Sequence, residues 1–129
     1  EELDEIFNVV LKVDELIERE AAKNGLIHVD GKKEFALGPG RKVVLVDTFG
    51  TLDEDRWWDA EAYSNGECIE LSKEFVRTHY IGTGHQTELK KARDEGTQDP
   101  PIPALPQEII DQTAQLYASM YERLTSNDF

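Results

Sequence analysis

Asp30-Gly31-Lys32-Lys33-Glu34-Phe35-Ala36-Leu37-Gly38-Pro39-Gly40-Arg41-Lys42-Val43-Val44-Leu45-Val46-Asp47 carries the strongest structural signal in this sequence. Glycine and proline at 38–40 interrupt it, and the β-rich run Val43-Val44-Leu45-Val46 follows. Two extended segments around so short a turn predict an antiparallel hairpin over residues 26–49, with a loop of three or four residues. Side chains alternate across a strand, so Asp30, Lys32 and Glu34 share one face of the first segment, opposite Val29, Gly31, Lys33 and Phe35. The second segment ends in an acid, Asp47, directly after four apolar residues. Glu34 and Asp47 therefore approach each other, although they are not symmetric about the turn and need a bulge or diagonal contact to meet.

Working outward, Leu3, Ile6, Phe7, Val10, Val13, Ile17 and Ala21 recur at helical spacing and predict an amphipathic helix over 3–24, stopped by Asn24-Gly25. Residues 50–71 read as irregular, with a turn at Ser64-Asn65-Gly66. A short helix is expected over 72–81, carrying Phe75, Val76 and Tyr80. Residues 82–104, rich in glycine, proline and polar side chains, read as a long surface loop with one or two helical turns near Leu89–Arg93 at most. Pro106 then opens a last helix over 106–125, with Ile109, Ile110, Thr113, Leu116, Tyr117, Met120, Tyr121 and Leu124 in one stripe. Helices around an antiparallel hairpin make the fold class α+β, in a single domain without internal repeats.

Composition narrows the functions further. The chain has 129 residues, 39% of them apolar, enough for a modest core. Its formal charge of −13 argues against a general nucleic-acid binder, which needs a basic footprint. No run approaches the roughly 18–20 apolar residues of a membrane span. A lone cysteine, Cys68, excludes an internal disulfide and suits the reducing cytoplasm. The chain begins at Glu1 and its one methionine is Met120, so a piece of a longer polypeptide is expected.

Two clusters could carry chemistry. Paired carboxylates at Glu34 and Asp47 repel unless a cation or proton lies between them. Magnesium accepts one or two carboxylates together with substrate phosphates, and Lys32 on the same face could meet a phosphate oxygen. From spacing alone, the same alternation also fits an exposed strand face with solvated charges. The second cluster is Asp53-Glu54-Asp55-Arg56-Trp57-Trp58-Asp59. An arginine between acids and aromatics suits bidentate binding of phosphate or carboxylate. Equally, the tryptophans could close the core while Arg56 pairs with an acid. His28, His79 and His85 lack metal-ligand spacing, and no glycine-rich phosphate loop is present.

Four ordered blocks resemble the SAICAR synthetase family. Its pattern of Asp, any residue, Lys, an apolar residue, Glu, Phe, Gly is met by Asp30-Gly31-Lys32-Lys33-Glu34-Phe35-Ala36. A hydrophobic strand ending in Asp-Glu, then Thr/Ser-Pro-Asp and Arg-aromatic-Trp, is met by Val44-Leu45-Val46-Asp47-Thr48, Thr51-Leu52-Asp53 and Arg56-Trp57-Trp58. Ser72-Lys73-Glu74-Phe75-Val76-Arg77 and the closing helix from Leu105 complete the series.

The resemblance implies the C-terminal lobe of a two-lobed, ATP-grasp-like ligase of purine biosynthesis, with ATP and Mg2+ held between lobes. It would join L-aspartate to carboxyaminoimidazole ribonucleotide. Glu34 and Asp47 would bind metal, and Lys32 would serve the nucleotide and the transferred phosphoryl group. Asp53, Arg56 and Arg77 would hold the ribonucleotide, Arg56 with a catalytic role as well. The partner would be the N-terminal lobe absent from this chain, in the same polypeptide or a separate one, and self-association stays open. Thr48 replaces the family's usual glutamate, Ala36 its glycine and Leu52 its proline. With the absent lobe, Thr48 leaves one alternative: a non-catalytic remnant or paralogue acting as a binding or scaffold module.

Overall fold

The computed structural model describes residues 2–129. Its first element, α1 (Glu2–Lys23), has Glu2, Asp4 and Glu5 in the first turn and Lys23 in the last, complementing the helix dipole. Gly25, at φ 66°, takes the left-handed conformation that turns the chain into β1 (Leu26–Gly31). Ala21 is buried and Ile17 packs beside it, as the helical period requires. Leu3 and Phe7, assigned by that period to the buried stripe, are instead 69% and 66% exposed. The core gathers at the other end of α1, so the first two turns find little apolar surface to cover them.

The hairpin is shorter than expected. β2 (Glu34–Leu37) pairs antiparallel with β3 (Val43–Val46) in the register Glu34↔Val46, Phe35↔Leu45, Ala36↔Val44 and Leu37↔Val43. Between them Pro39–Arg41 forms one 3-10 turn, with Gly40 at φ 71° and the Gly38 N–H donating to the Lys42 carbonyl at 2.8 Å. Residues 26–31, expected to continue the same strand, belong to a second two-stranded sheet. There β1 pairs antiparallel with β4 (Asp55–Asp59), from Leu26↔Asp59 to Gly31↔Asp55, with an irregularity between His28 and Asp30. The extended run breaks at Lys32-Lys33 because Lys33 turns its ammonium inward, donating to the Gly31 carbonyl at 3.2 Å beside the buried Asp55 carboxylate.

The segment 50–71 is also more regular than its composition suggests. It contains β4 and a short helix, α2 (Ala60–Ser64), whose first turn is capped by Asp59 accepting from the Ala62 N–H at 3.0 Å. Along β4, buried Asp55 and Trp57 flank exposed Arg56. That is strand alternation, but one inward residue is a carboxylate, which hides the pattern from a hydrophobicity reading. α3 (Glu74–Gly82) follows, then α4 (His85–Asp94) inside the stretch expected to be a loop. Gly84 at φ 81° makes the turn between them, and α4 seats buried His85 against Tyr80 with Leu89 and Ala92 half-buried on the same side.

α5 (Gln107–Thr125) closes the structure. Met120 from α5, Ala21 from α1, Leu26 from β1, Trp57 from β4 and Leu52 form the core, with Leu116, Tyr117 and Leu124 packed against it. Arg123 ties α5 to the α1–β1 junction, donating to the carbonyls of Asn24 at 3.2 Å and Gly25 at 2.9 Å and to Asp59 Oδ2 at 3.1 Å. Among the described residues no helix is long and apolar enough to cross a membrane.

Candidate functional site

The end of β1, the break after it and the start of α3 border a polar cleft of about 470 Å3. Asp30, Gly31, Lys32, Glu54, Arg56, Lys73, Glu74 and Arg77 line it. Three residues singled out from sequence, Lys32, Arg56 and Arg77, thus meet in one place. Lys73, which sequence reasoning passed over, joins them. In a chain of charge −13, the gathering of four cations on one cleft is a local reversal of sign.

Each cation is held by an acceptor of the chain. Arg56 forms a fork on Asp30, its Nε donating to Oδ1 at 2.8 Å and Nη2 to Oδ2. That bidentate bond holds the Asp30 carboxyl below the usual carboxylate range and raises the Arg56 guanidinium in turn. Arg77 donates to Glu74, and Lys73 to the Asp53 carbonyl. Lys32 donates to Glu34 Oε1. This bond, then the charge of Glu34, raises the Lys32 ammonium above its ordinary range, and the charges of Glu54 and Asp47 add to it.

Glu34, Asp47 and Asp53 do not line the cleft but border it. Glu34 opens β2 and reaches the cleft through Lys32. Asp47 follows β3 at φ 67°, which ends the strand's alternation at that residue, and its Oδ1 accepts from the Thr48 N–H at 2.8 Å. Because Glu34 lies opposite Val46, Asp47 is one residue beyond its cross-strand position. The two carboxylates are exposed and both act on Lys32. Carboxylate oxygens are the donor type that magnesium takes alongside phosphates and water. Among the described residues, no three His, Cys, Asp or Glu side chains form a metal cage by themselves. Asp53 is oriented from outside the cleft, its Oδ1 accepting from the Tyr117 hydroxyl at 2.7 Å. Burial, then this bond, pushes the Tyr117 hydroxyl up to about 12.

The family model for SAICAR synthetase matches residues 1–94. The chain belongs to the SAICAR synthetase family. Among curated relatives, the phosphoribosylaminoimidazole-succinocarboxamide synthase of Thermoplasma acidophilum is 50% identical over 125 residues, covering 97% of this chain and 42% of the relative. That of Thermoplasma volcanium is 49% identical over 121 residues, 94% of this chain and 41% of the relative. Among solved structures, the SAICAR synthase of Saccharomyces cerevisiae complexed with SAICAR superposes with a TM-score of 0.72 at 23% identity, over 95% of this chain and 38% of that one. A type-2 SAICAR synthetase in complex with ADP gives 0.63 at 24% identity, over 98% and 39%. The chain therefore spans about two fifths of the length of the curated relatives it matches.

One buried group was missed by reading the SAICAR synthetase pattern alone. Lys33 occupies the pattern's apolar position, yet its side chain is only 3% exposed. It lies 3.5 Å from Asp55 Oδ1, whose residue is 1% exposed. Asp55 Oδ2 accepts from the Gly50 N–H at 2.6 Å and faces His28 Nε2 at 3.2 Å. The available signal was Lys33 itself, a lysine sharing its expected strand face with Val29 and Phe35.

Proposed function

We propose that this chain is the C-terminal lobe of a two-lobed, ATP-grasp-like SAICAR synthetase. The complete enzyme uses ATP to join L-aspartate to carboxyaminoimidazole ribonucleotide, giving SAICAR, ADP and phosphate. The observation that carries this reading is the convergence of Lys32, Arg56 and Arg77 on one cleft, bordered by Glu34 and Asp47. Family membership supports it, as do the relatives solved with ADP and with SAICAR.

In this reading the imidazole carboxylate takes the γ-phosphoryl group of ATP, and the aspartate amine attacks the resulting acyl phosphate, releasing phosphate. Glu34 and Asp47 would hold magnesium, which would supply neutralising charge at the nucleotide phosphates. Lys32, beside Glu34, neutralises charge at the transferred phosphoryl group. Arg56 and Arg77 hold the anionic groups of the ribonucleotide, and Asp53 orients it by accepting hydrogen bonds. Most of the acceleration then comes from placement and fixed charge rather than from a protein nucleophile. The remaining lobe, in the same polypeptide or as a separate cytoplasmic chain, covers the nucleotide.

The test is ADP release by the complete enzyme. Release that requires both aspartate and the ribonucleotide, and disappears in Glu34→Gln and Asp47→Asn while the fold is retained, is the expected result. A folded complete protein that releases no ADP under these conditions overturns the assignment and leaves a binding or scaffold module, with Thr48 as the first suspect.

A further inference from the structure

We propose that Lys33 and Asp55 are positioning residues, whose buried ion pair fixes the spacing between the segment carrying Lys32 and Glu34 and the loop carrying Asp47 and Asp53 where it enters β4 at Arg56. The proposal rests on the functional reading above for what is being positioned, though not for the pair itself. Lys33 sits between Lys32 and Glu34, and Asp55 directly precedes Arg56. Anything that moves the pair therefore moves the site from both sides.

The geometry ties two stretches outside the strands, the break after β1 and the loop from β3 to β4, to the first residue of β4. Asp55 belongs to β4, Lys33 to the break between the two sheets, and Gly50 to the loop from β3 to β4. The Asp55 carboxylate bonds the Gly50 N–H at 2.6 Å through Oδ2 and approaches the Lys33 ammonium at 3.5 Å through Oδ1. Oδ1 has no hydrogen bond of its own, so Lys33 is its charge partner in a nearly water-free place. Lys33 in turn bonds the Gly31 carbonyl at 3.2 Å, lies 3.8 Å from Asp14 Oδ1 on α1, and stands 5.8 Å from the Phe49 ring centroid. His28, against Trp57, completes the enclosure.

Stability alone is a weak reason for this arrangement. Two apolar side chains of similar volume commonly serve a core as well as a buried ion pair or better, because both charges lose their hydration. Loss of one partner alone is costly, since it strands the other charge. A pair of this kind specifies which segments meet, and at what distance. Gly31 supplies an independent argument. A Cβ at that position would fall 1.8 Å from Asp55 Oδ1, 2.3 Å from its carboxyl carbon and 2.8 Å from Lys33 Nζ. The carboxylate occupies the space that any other residue at 31 would need.

The experiment uses the complete enzyme with Lys33→Met, Asp55→Asn, the double variant and Gly31→Ala. Both single charge variants should lower kcat by about 10- to 100-fold at temperatures where they remain folded, with the KM for aspartate within about threefold of wild type, because misplacement of about 1 Å costs on that order. The double variant, with neither charge stranded, should recover most of kcat. Gly31→Ala, which displaces the pair but removes no charge, should lower kcat like the singles. Hydrogen exchange at the Gly50 amide reads the same contact without catalysis: protected in wild type, faster in Lys33→Met and Gly31→Ala, and protected again in the double variant. Folded singles with wild-type kcat, a double variant no better than the worse single, or Gly31→Ala with unchanged kcat would each overturn the proposal. If the singles do not fold, the Gly31→Ala and double variants decide it. An inert wild-type enzyme would remove the ligase reading instead, and exchange at Gly50 would still decide whether the pair sets the spacing.

Discussion

Replacing Tyr117 by phenylalanine deletes one oxygen and leaves the ring that packs against the core. That oxygen donates to Asp53 Oδ1 at 2.7 Å, linking α5 to a loop 64 residues away in sequence. A hydrogen bond to a charged acceptor contributes about 1.5–3 kcal/mol, but Asp53 is exposed and water replaces part of the lost bond, so the expected cost is about 1–1.5 kcal/mol. If Asp53 orients the ribonucleotide, that cost appears as a rise of about 5- to 12-fold in its KM, at 1.4 kcal/mol per factor of ten, with kcat little changed. Steady-state assay of the complete enzyme measures it. The alkaline limb gives a second reading. The folded Tyr117 hydroxyl titrates near 12, above its ordinary 10, so its contribution to stability is complete below pH 10 and is lost as pH rises through about 12. The phenylalanine variant should lack this component in an alkaline unfolding titration. An unchanged KM, together with an unchanged alkaline profile, would refute the argument that Tyr117 holds Asp53 in place.

Arg56→Lys should raise the KM for the ribonucleotide by at least about tenfold, since a lysine cannot reproduce the two-pronged grip now made on Asp30; wild-type KM in the variant would show that charge alone suffices. In Arg56→Met, the Asp30 carboxyl should return to the ordinary range. The stability the pair contributes, present above pH 3.8 and lost as pH falls through the lower folded value, should vanish from an acid titration. Met120→Ala should destabilise the protein by about 2–5 kcal/mol, because the fully buried side chain leaves a cavity between α1 and α5; a denaturant midpoint within error of wild type would contradict the packing described. The isolated 129-residue chain should bind an apolar dye or self-associate through Leu3, Phe7 and Leu11, and a monodisperse, dye-silent monomer would show that this face needs no cover.

Local chemistry in the sequence was a good guide wherever one short stretch decides its own shape. Gly38-Pro39-Gly40 before four β-formers marked the hairpin, and the stripe through Leu116 and Met120 marked α5. Pairing across distance was not legible in the same way. β1 finds β4 rather than extending into the hairpin, because Lys33 leaves the strand to meet a carboxylate more than twenty residues on. Nothing within residues 26–37 announces that partner. α4 escaped for the opposite reason: its sequence is almost wholly polar, and three inward residues suffice to seat it on α3. Of the residues lining the candidate cleft, Lys32, Arg56 and Arg77 were proposed from the family pattern, and their convergence is what the structure adds. Lys73 was within reach too, four residues before Arg77 on the same helical approach.

The cleft's cations are already engaged: Arg56 with Asp30, Arg77 with Glu74, Lys32 with Glu34 and Lys73 with a carbonyl. An arriving anion must therefore be exchanged in, displacing partners the protein already holds. A small monovalent ion gains little from such a trade, because it gives each cation about what it had. A molecule with several anionic groups, touching three or four of these side chains together, wins the exchange at every point at once. The ion pairs made along the groove thus favour a large, multiply charged solute over small monovalent salts.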